Sequence, residues 1–268
     1  MTNNRNTGGY ALVTGASKGI GYELAKLFAA DGYNIIAVAR TEEDLNKLAD
    51  ELVTKYKVQV QVISKDLFGE NAATELYEQI KNSGWQVEAL VNDAGQGVYG
   101  LFTETDIDAQ MRIIHLNIVS LTKLTYHFLQ DMKAQNSGKI LQLASVVSEL
   151  PAPYQAVYGG TKAYVLSFTE ALISELKDTN ITITALQPGA TDTDFFNKAG
   201  AQDSKIVADK SKLADPAEVA KDGYKALMSG DDKVVSGMKN KAQIAMGNIM
   251  PDTMLANQMK KQSEPVKK

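Results

Sequence analysis

Short apolar runs alternate with longer helical patterns from residue 10 to residue 237 of this 268-residue chain. The apolar runs lie at residues 11–13, 34–39, 58–62, 87–91, 140–143, 181–186 and 233–235. Helical spacing of apolar residues follows the first run, begins again at Thr41, and covers residues 73–80, 107–132, 154–177 and 216–228. Alternation of this kind predicts right-handed βαβ units and a parallel sheet that is covered on both faces. The predicted fold is α/β: a doubly wound (Rossmann) sheet of about seven mostly parallel strands, with ligands at their carboxyl ends.

Composition narrows the chemistry. The chain has no cysteine and two histidines, His115 and His127, which excludes disulfides, Cys-bound metals and thiol nucleophiles. We therefore expect no metal site. The net charge of −4 argues against a nucleic-acid partner. Residues 1–10 are polar, and no apolar run approaches the roughly 18 residues of a membrane span. We therefore expect a cytoplasmic protein without a membrane-spanning segment.

A glycine-rich turn follows the first apolar run and reads T-G-A-S-K-G-I-G over residues 14–21. Glycines at such a turn let backbone N–H groups approach a pyrophosphate, which the positive end of the following helix then stabilises. Because the turn joins a strand to a helix within a βαβ unit, it predicts a dinucleotide site. The residues predicted to bind the cofactor here are Gly15, Ser17, Lys18, Gly19, Ile20 and Gly21.

The end of the second strand indicates which dinucleotide is bound. An acidic residue at that position would bind the ribose hydroxyls and repel a 2′-phosphate, but the chain reads Ala39 followed by Arg40. The guanidinium of Arg40 suits a phosphate, and Lys18 adds a second positive charge. We therefore predict NADP(H).

A serine, a tyrosine and a lysine form the candidate catalytic group. Ser145 follows the apolar run at 140–143, while Tyr158 and Lys162 are four residues apart in a helical pattern and share one helix face. A serine hydroxyl can hydrogen-bond a substrate oxygen as charge develops there. Because a nearby ammonium stabilises a phenolate, we expect Lys162 to lower the pKa of Tyr158.

These motifs resemble the short-chain dehydrogenase/reductase family in its compact, single-domain branch. The glycine turn matches that family's T-G-x-x-x-G-x-G, and Ser145, Tyr158 and Lys162 match its S…Y-x-x-x-K order. Residues 92–95 read N-D-A-G where the family usually has N-N-A-G, so Asp93 is a departure. Residues 188–193 read P-G-A-T-D-T and resemble the family's P-G-x-x-x-T. The resemblance covers residues 8 to 237.

The resemblance implies further site residues. Asn117 would complete the catalytic group by positioning Lys162 through water, and Asp66 would contact the adenine. Thr193 would hold the nicotinamide amide. The remaining cofactor-binding residues implied by the motifs are Asn92, Ala94, Gly95, Tyr158, Lys162, Pro188, Gly189 and Thr191. The family commonly forms homodimers or homotetramers.

Hydride transfer between NADP(H) and a small carbonyl or alcohol substrate is the predicted reaction, with a ketone or aldehyde reductase as the main interpretation. Tyr158 would give a proton to the carbonyl oxygen. Two alternatives remain open, a non-catalytic NADP-binding sensor and a 3-oxoacyl-thioester reductase of the same family. A dehydratase or an epimerase would use the same site differently.

The substrate site and the C-terminal part are less constrained by motifs. Val146, Tyr154 and Phe195 are predicted to line an apolar pocket beside Ser145 and Tyr158, and residues 194–214 to form a lid. We divide the chain into a single Rossmann-type catalytic domain, residues 1–237, and a Met-rich helical extension, residues 238–268. In the extension, the helical spacing of Met238, Ala242, Ala245, Ile249 and Met250 predicts an apolar stripe, and a second helix is predicted to open at Pro251. Its final lysines, Lys260, Lys261, Lys267 and Lys268, are predicted to form a frayed basic tail.

Overall fold

The computed structural model describes residues 8–266. Seven strands in this part of the chain form one sheet: β1 (Tyr10–Thr14), β2 (Asn34–Ala39), β3 (Val60–Ser64), β4 (Val87–Asn92), β5 (Gly138–Leu143), β6 (Ile181–Gln187) and β7 (Lys233–Val235). Their order is β3-β2-β1-β4-β5-β6-β7, and every neighbouring pair is parallel. The predicted doubly wound α/β fold is confirmed.

Helices connect the strands and cover the sheet. They are α1 (Gly19–Ala30), α2 (Glu42–Tyr56), α3 (Ala72–Asn82), α4 (Ile107–Ile114), α5 (Leu121–Gln135), α6 (Ala156–Glu175), α7 (Phe195–Lys198), α8 (Pro216–Ser229), α9 (Met238–Gly247) and α10 (Asp252–Ser263). Asp215 caps the N-terminus of α8: its carboxylate accepts a hydrogen bond from the Ala217 N–H, and Pro216 occupies the first helical position.

The core consists of two apolar layers, one on each face of the sheet. On one face, Leu24 and Phe28 of α1 pack with the leucines of α2 and with α8. On the other face, Leu76 of α3 packs with Leu124 and Phe128 of α5. Each such fully buried side chain contributes on the order of 1.5–3 kcal/mol to folding. Both layers leave the carboxyl ends of the strands open, where the predicted ligand site lies.

Two elements differ from the sequence prediction in extent. The strand predicted at 58–62 lies at Val60–Ser64, two residues later, and it forms one edge of the sheet. The helix predicted at 107–132 is interrupted by a π-helical turn, His115–Ser120, between α4 and α5. Such wide turns insert a residue into the helical ladder, and this one contains Asn117.

The C-terminal helices pack on the sheet through a different stripe from the predicted one. We expected Met238 and Ile249 to share an apolar face, but they are 79% and 86% exposed. Ile244, Leu255 and Met259 are buried instead, in a cluster with Val146 and Leu150. The sequence spacing was misleading because α9 ends at Gly247 and the chain turns before Pro251, so residues 238–250 do not form one helix.

The predicted basic tail lies partly inside the last helix. Lys260 and Lys261 belong to α10, which begins directly after Pro251 as expected, whereas Lys267 and Lys268 lie outside the described residues. Within residues 8–266, no helix combines the length and the apolar character that crossing a membrane would require. The cytoplasmic location stays a prediction.

Candidate active site

A cavity of about 1210 Å³ opens at the carboxyl ends of the strands. It lies where the strand order reverses, since β1 is flanked by β2 on one side and by β4 on the other. Crevices at this point are where doubly wound folds bind ligands. The volume exceeds the roughly 300–1,000 Å³ of single-ligand pockets, so it can hold a cofactor and a substrate together.

The glycine turn forms one wall of the cavity. Gly15 and Gly19 have φ values of +73° and +65°, which L side chains rarely adopt. A Cβ atom at Gly15 would come within 2.8 Å of the Asp93 Oδ2 atom, and one at Gly19 within 2.9 Å of the Thr193 Cγ2 atom. Gly21 is tighter still, because its Cβ would approach the Gly15 carbonyl oxygen to 2.6 Å. Only glycine keeps this turn compact at the start of α1, and the cradle fits a pyrophosphate.

Cations gather at the end of β2. The exposed Arg40 guanidinium lies 5.6 Å from the centroid of the Phe68 ring, and the Lys18 Nζ atom lies 3.3 Å from the Asp44 carboxylate. Lys65 also lines this part of the cavity, a third cation that the sequence analysis missed. Its position directly after β3 could have indicated that Lys65 lies at the carboxyl end of the sheet. A phosphate group fits this end of the cavity.

Asp66 follows Lys65 on the same wall of the cavity. Its carboxylate accepts a hydrogen bond of 3.1 Å from the Phe68 N–H, which closes a tight turn after β3. This turn fixes the Asp66 side chain at the cavity wall, and its contact with the adenine stays a prediction.

The loop after β4 is held by a threonine that the sequence analysis also missed. The Thr14 Oγ1 atom accepts hydrogen bonds from the N–H groups of Asp93 and Ala94, both at 3.1 Å, and donates one to the Val91 carbonyl. This arrangement places Ala94 and Gly95 on the cavity wall.

Asn92 has a place inside the sheet. It is buried, and its amide nitrogen donates to the Thr125 hydroxyl and to the Gln142 Oε1 atom. It therefore supports the cavity wall from behind and does not line the cavity.

The loop after β6 closes the cavity from the opposite side. The Pro188 carbonyl accepts a hydrogen bond of 3.0 Å from the Val146 N–H, which ties this loop to the end of β5. Gly189 and Thr191 line the cavity, and the Thr193 hydroxyl accepts a hydrogen bond from the Phe195 N–H at the start of α7. Thr193 thereby lies against Gly19, so the two predicted cofactor motifs meet.

The candidate catalytic side chains are brought together by β5 and α6. Ser145 lies just beyond β5, and Tyr158 and Lys162 lie on one face of α6, as predicted from their spacing. The Lys162 Nζ atom donates to the Leu143 carbonyl at 2.5 Å and lies 5.8 Å from the centroid of the Tyr158 ring. The Ser145 hydroxyl donates to the Pro188 carbonyl at 3.4 Å and accepts from the Val147 N–H at 3.3 Å.

Burial dominates the proton affinities of this group. It raises the pKa of the Tyr158 phenol above its ordinary value, the Ser145 hydroxyl acts in the opposite direction, and the charge of Asp93 raises it further. Burial lowers the pKa of Lys162 to about 8, against the opposing effect of Asp93. The net lowering of the Tyr158 pKa that we expected from Lys162 is not found in this arrangement, because desolvation of the phenol is the largest effect.

Asp93 is the third titratable group at this site. Burial raises its pKa to about 7, while Lys162 and the Gly21 N–H act in the opposite direction. Its carboxylate lies between the glycine turn and the buried lysine, so the departure from N-N-A-G places a charge where the family has an amide.

Asn117 is oriented by the loop after β4. The wide turn between α4 and α5 directs its amide at Gln96, whose N–H donates to the Asn117 Oδ1 atom at 3.1 Å and whose carbonyl accepts from its Nδ2 atom at 3.0 Å. A Cβ at Gly95 would lie 3.4 Å from the Asn117 Oδ1 atom and 3.5 Å from the Lys162 Nζ atom. Asn117 and Lys162 thus flank the same backbone position.

The predicted substrate wall is partly rearranged. Val146 and Phe195 line the cavity, and the Phe195 ring centroid lies 5.1 Å from that of Tyr158. Tyr154 does not line the cavity: its φ value of +66° turns its ring away to stack on Tyr99. Its neighbour Gln155 lines the cavity in its place.

Helices α9 and α10 contribute wall residues that no motif indicated. Met246 and Met259 line the cavity together with residues of the segment 194–214, which is predicted to form a lid. This segment is joined to the chain after α10, because the Val266 N–H donates to the Asp203 carbonyl and the Lys205 N–H donates to the Glu264 carbonyl.

Most of the predicted site residues share this cavity. Those that line it are Gly15, Ser17, Lys18, Gly19, Ile20, Arg40, Asp66, Ala94, Gly95, Ser145, Val146, Tyr158, Lys162, Pro188, Gly189, Thr191, Thr193 and Phe195. The predicted residues behind the wall or turned away from it are Gly21, Asn92, Asn117 and Tyr154.

Known proteins share both the sequence motifs and this architecture. A 7beta-hydroxysteroid dehydrogenase of Mediterraneibacter gnavus is 27% identical over 246 residues, which cover 91% of this chain and 92% of that protein. An uncharacterized oxidoreductase of Bacillus subtilis, YmfI, is 30% identical over 231 residues, 85% of this chain and 94% of that protein. The structure of a short-chain dehydrogenase from Sphingobium yanoikuyae in complex with NADPH superposes with a TM-score of 0.80 at 25% identity, covering 91% of this chain and 96% of that one.

The sequence profile of the short chain dehydrogenases matches residues 9–204, which include the glycine turn and the Ser145, Tyr158 and Lys162 group. The match covers well over half of the chain and confirms the family predicted from the motifs. The chain belongs to the short-chain dehydrogenase family.

Proposed function

We propose that this protein is an oxidoreductase that uses NADP(H) to interconvert a ketone or aldehyde and its alcohol. The observation that carries the proposal is the cavity itself, in which the glycine turn and the group of Ser145, Tyr158 and Lys162 face the same space. Family membership and the NADPH bound to the Sphingobium yanoikuyae relative support it.

Arg40, Lys18 and Lys65 favour NADP(H) over NAD(H) in this proposal. All three line the cavity, and the end of β2 has Ala39 where an acidic residue would repel a 2′-phosphate. Lys18 and Lys65 also form ion pairs with Asp44 and Glu75, so the Arg40 guanidinium is the main candidate to bind that phosphate. Asp66 would contact the adenine. Ala94, Gly95, Pro188, Gly189 and Thr191 would enclose the dinucleotide, and Thr193 would hold the nicotinamide amide.

The chain's own residues hold and move the proton. When bound, NADPH supplies the hydride. The Tyr158 hydroxyl donates its proton to the substrate oxygen, and the Ser145 hydroxyl donates a hydrogen bond to the same oxygen. The Lys162 ammonium stabilises the resulting tyrosinate. Because burial raises the pKa of Tyr158, the phenol stays protonated at neutral pH, which is the form that reduction requires. Asn117 positions Lys162 and restores the proton through water.

The Tyr158→Phe variant tests the mechanism. Because general acid catalysis contributes typically 10²–10⁴-fold, we expect turnover to fall by at least about a hundredfold while NADPH binding, followed by cofactor fluorescence, persists. Tyr164→Phe is the matched control, since Tyr164 lies on the same helix with its hydroxyl paired to Thr122 outside the cavity. Near-normal turnover in Tyr158→Phe would refute the assignment.

The same assay separates the main alternatives. A non-catalytic NADP-binding sensor would bind NADPH with equal affinity in wild type and Tyr158→Phe and would consume it with neither. A 3-oxoacyl-thioester reductase would consume NADPH with 3-oxoacyl thioesters in preference to simple ketones. The complete set of Ser145, Tyr158, Lys162 and Asn117 favours an enzyme, because a sensor does not need it.

We also propose that the protein is a homodimer or homotetramer. Apolar side chains on α4, α5 and α6 are exposed, among them Met111, Tyr126 and Tyr164. Light scattering of the purified protein would give the mass of the assembly, and a monomer would contradict this proposal.

A further inference from the structure

Gln155 is a buried amide without a protein partner at the cavity wall. Gln155 is 9% exposed, and its Nε2 atom has no hydrogen-bond partner within residues 8–266. A buried donor left unpaired is unfavourable, and most such groups in proteins have a partner. Because Gln155 lines the cavity, a bound ligand can supply the missing acceptor.

The unpaired nitrogen lies near Phe195, which packs against the candidate catalytic tyrosine. A Cβ built on Gly97 would be 3.0 Å from the Gln155 Nε2 atom and 2.8 Å from the Phe195 Cζ atom. The Phe195 ring in turn packs against the Tyr158 ring, with 5.1 Å between centroids. The Gln155 amide and Phe195 thus fill the space beside Gly97, and Phe195 connects the amide to Tyr158.

The backbone around Gln155 is firmly held, so the point from which its side chain leaves the main chain is fixed. The Gln155 N–H donates to the Ala152 carbonyl at 3.0 Å, and its carbonyl accepts from the Gly159 N–H at 2.9 Å. The preceding residue, Tyr154, has a φ value of +66°, a strained conformation that persists only where its surroundings enforce it. Here the Gly100 N–H donates to the Tyr154 carbonyl at 2.8 Å and the Tyr154 ring stacks on Tyr99.

We propose that Gln155 determines substrate specificity: its amide donates a hydrogen bond to a second oxygen of the substrate, close to the carbonyl that is reduced. The preferred substrates are then oxygenated carbonyl compounds, such as diketones and 3-oxo esters or thioesters, rather than plain ketones. The inference rests on the proposed reductase function and deepens it. A site with a buried donor discriminates strongly against an analogue that lacks the acceptor, because the donor then stays desolvated and unpaired.

Steady-state kinetics with matched probes test this proposal. We would measure NADPH consumption with 2,3-hexanedione, with ethyl 3-oxobutanoate and with 2-hexanone, in wild type and in Gln155→Leu. Leucine has a similar size and no donor. The ratio of kcat/KM for each oxygenated probe to that for 2-hexanone is expected to fall about tenfold or more in the variant. Comparing this ratio between wild type and the variant cancels the difference in intrinsic reactivity between the probes.

Gln79→Leu serves as the matched control. Gln79 is exposed on α3 and does not line the cavity, so its substitution is expected to leave the ratios within about twofold of wild type. An equal loss of kcat/KM for all three probes in Gln155→Leu would indicate a structural role and overturn the inference. If wild type consumes NADPH with none of the probes and with no other carbonyl compound, the proposed function itself fails.

Thermal unfolding without ligand gives a second test that needs no activity. Because the Gln155 Nε2 atom has no partner to lose, Gln155→Leu is expected to unfold at the same Tm as wild type or a higher one. A clear decrease in Tm would show that the amide is satisfied within the protein, and would overturn the inference.

Discussion

Replacing Asp93 by asparagine, the residue its relatives usually have there, is expected to stabilise the protein increasingly as the pH rises from 5 to 7. The Asp93 carboxylate packs against Gly15 and Gly21, and burial raises its pKa from 3.8 to about 7. A carboxyl group with a raised pKa stabilises the fold when protonated, and this contribution is lost as the pH rises through the folded-state value. Asparagine cannot lose a proton, so the variant avoids the loss.

The size of the effect follows from the shift. Each pKa unit corresponds to about 1.4 kcal/mol, so a shift of about three units sets an upper bound of about 4 kcal/mol for Asp93 over the whole titration. Between pH 5 and pH 7 the slope contributes at most about 3 kcal/mol. The folded-state pKa of about 7 already includes the favourable charge of Lys162, which acts to lower it. We therefore expect a net gain of about 1 to 3 kcal/mol for Asp93→Asn at pH 7 relative to pH 5.

Urea unfolding of wild type and Asp93→Asn at several pH values between 5 and 7.5 measures this difference directly. The difference in the free energy of unfolding is expected to grow with pH up to about 7 and then to level off. The alkaline limb of kcat is expected to move to lower pH, because the pKa of Lys162 falls. A stability difference that is constant or that shrinks as the pH rises would refute the reasoning, since it would mean that Asp93 is ionised at pH 5 in the folded protein.

Three further substitutions test other parts of the site. Arg40→Ala is expected to raise the KM for NADPH about tenfold with little change for NADH. Arg112→Ala is the control and should change neither KM, although the Arg112 guanidinium also lies over the Phe68 ring. Equal effects of both variants on the KM for NADPH would contradict the phosphate assignment. Leu255→Ala is expected to lower the free energy of unfolding by about 2 to 5 kcal/mol, as measured in urea, and a neutral result would mean that α10 contributes no packing. Tyr99→Phe removes a hydrogen bond of 2.6 Å to the Ser263 carbonyl and is expected to destabilise the protein by about 1 kcal/mol; an unchanged Tm would show that this link is weak.

Local spacing explains which parts of the site were predictable. Tyr158 and Lys162 lie four residues apart on one helix, and the glycine turn is continuous in sequence, so the chemistry of each follows from its own segment. Strand–helix alternation likewise predicted the sheet. Whether Tyr154 or Gln155 faces the cavity depends instead on a single positive φ value, which no pattern at a tyrosine indicates.

Contacts between distant segments were beyond the sequence patterns. Thr14 supports the loop after β4 through hydrogen bonds to residues about 80 positions away, and no motif marks such a pair. The raised pKa of Tyr158 depends on how far the whole fold buries it. The prediction of the apolar stripe in the C-terminal extension was wrong for the same reason, since packing against Val146 and Leu150 determines which apolar residues of α9 and α10 are buried.

A series of contacts leads from the last helix to the cavity, and it allows substrate preference to change separately from cofactor use. The Ser263 carbonyl holds the Tyr99 hydroxyl, Tyr99 stacks on Tyr154, and Tyr154 precedes Gln155. The glycine turn and the end of β2 lie outside this chain of contacts. Variation confined to α10 can therefore diversify which substrates are accepted while the cofactor and the proton-transfer chemistry stay as they are, whereas α9 carries Asn240, which lies against Gly189. For directed evolution, α10 is the natural place to randomise first.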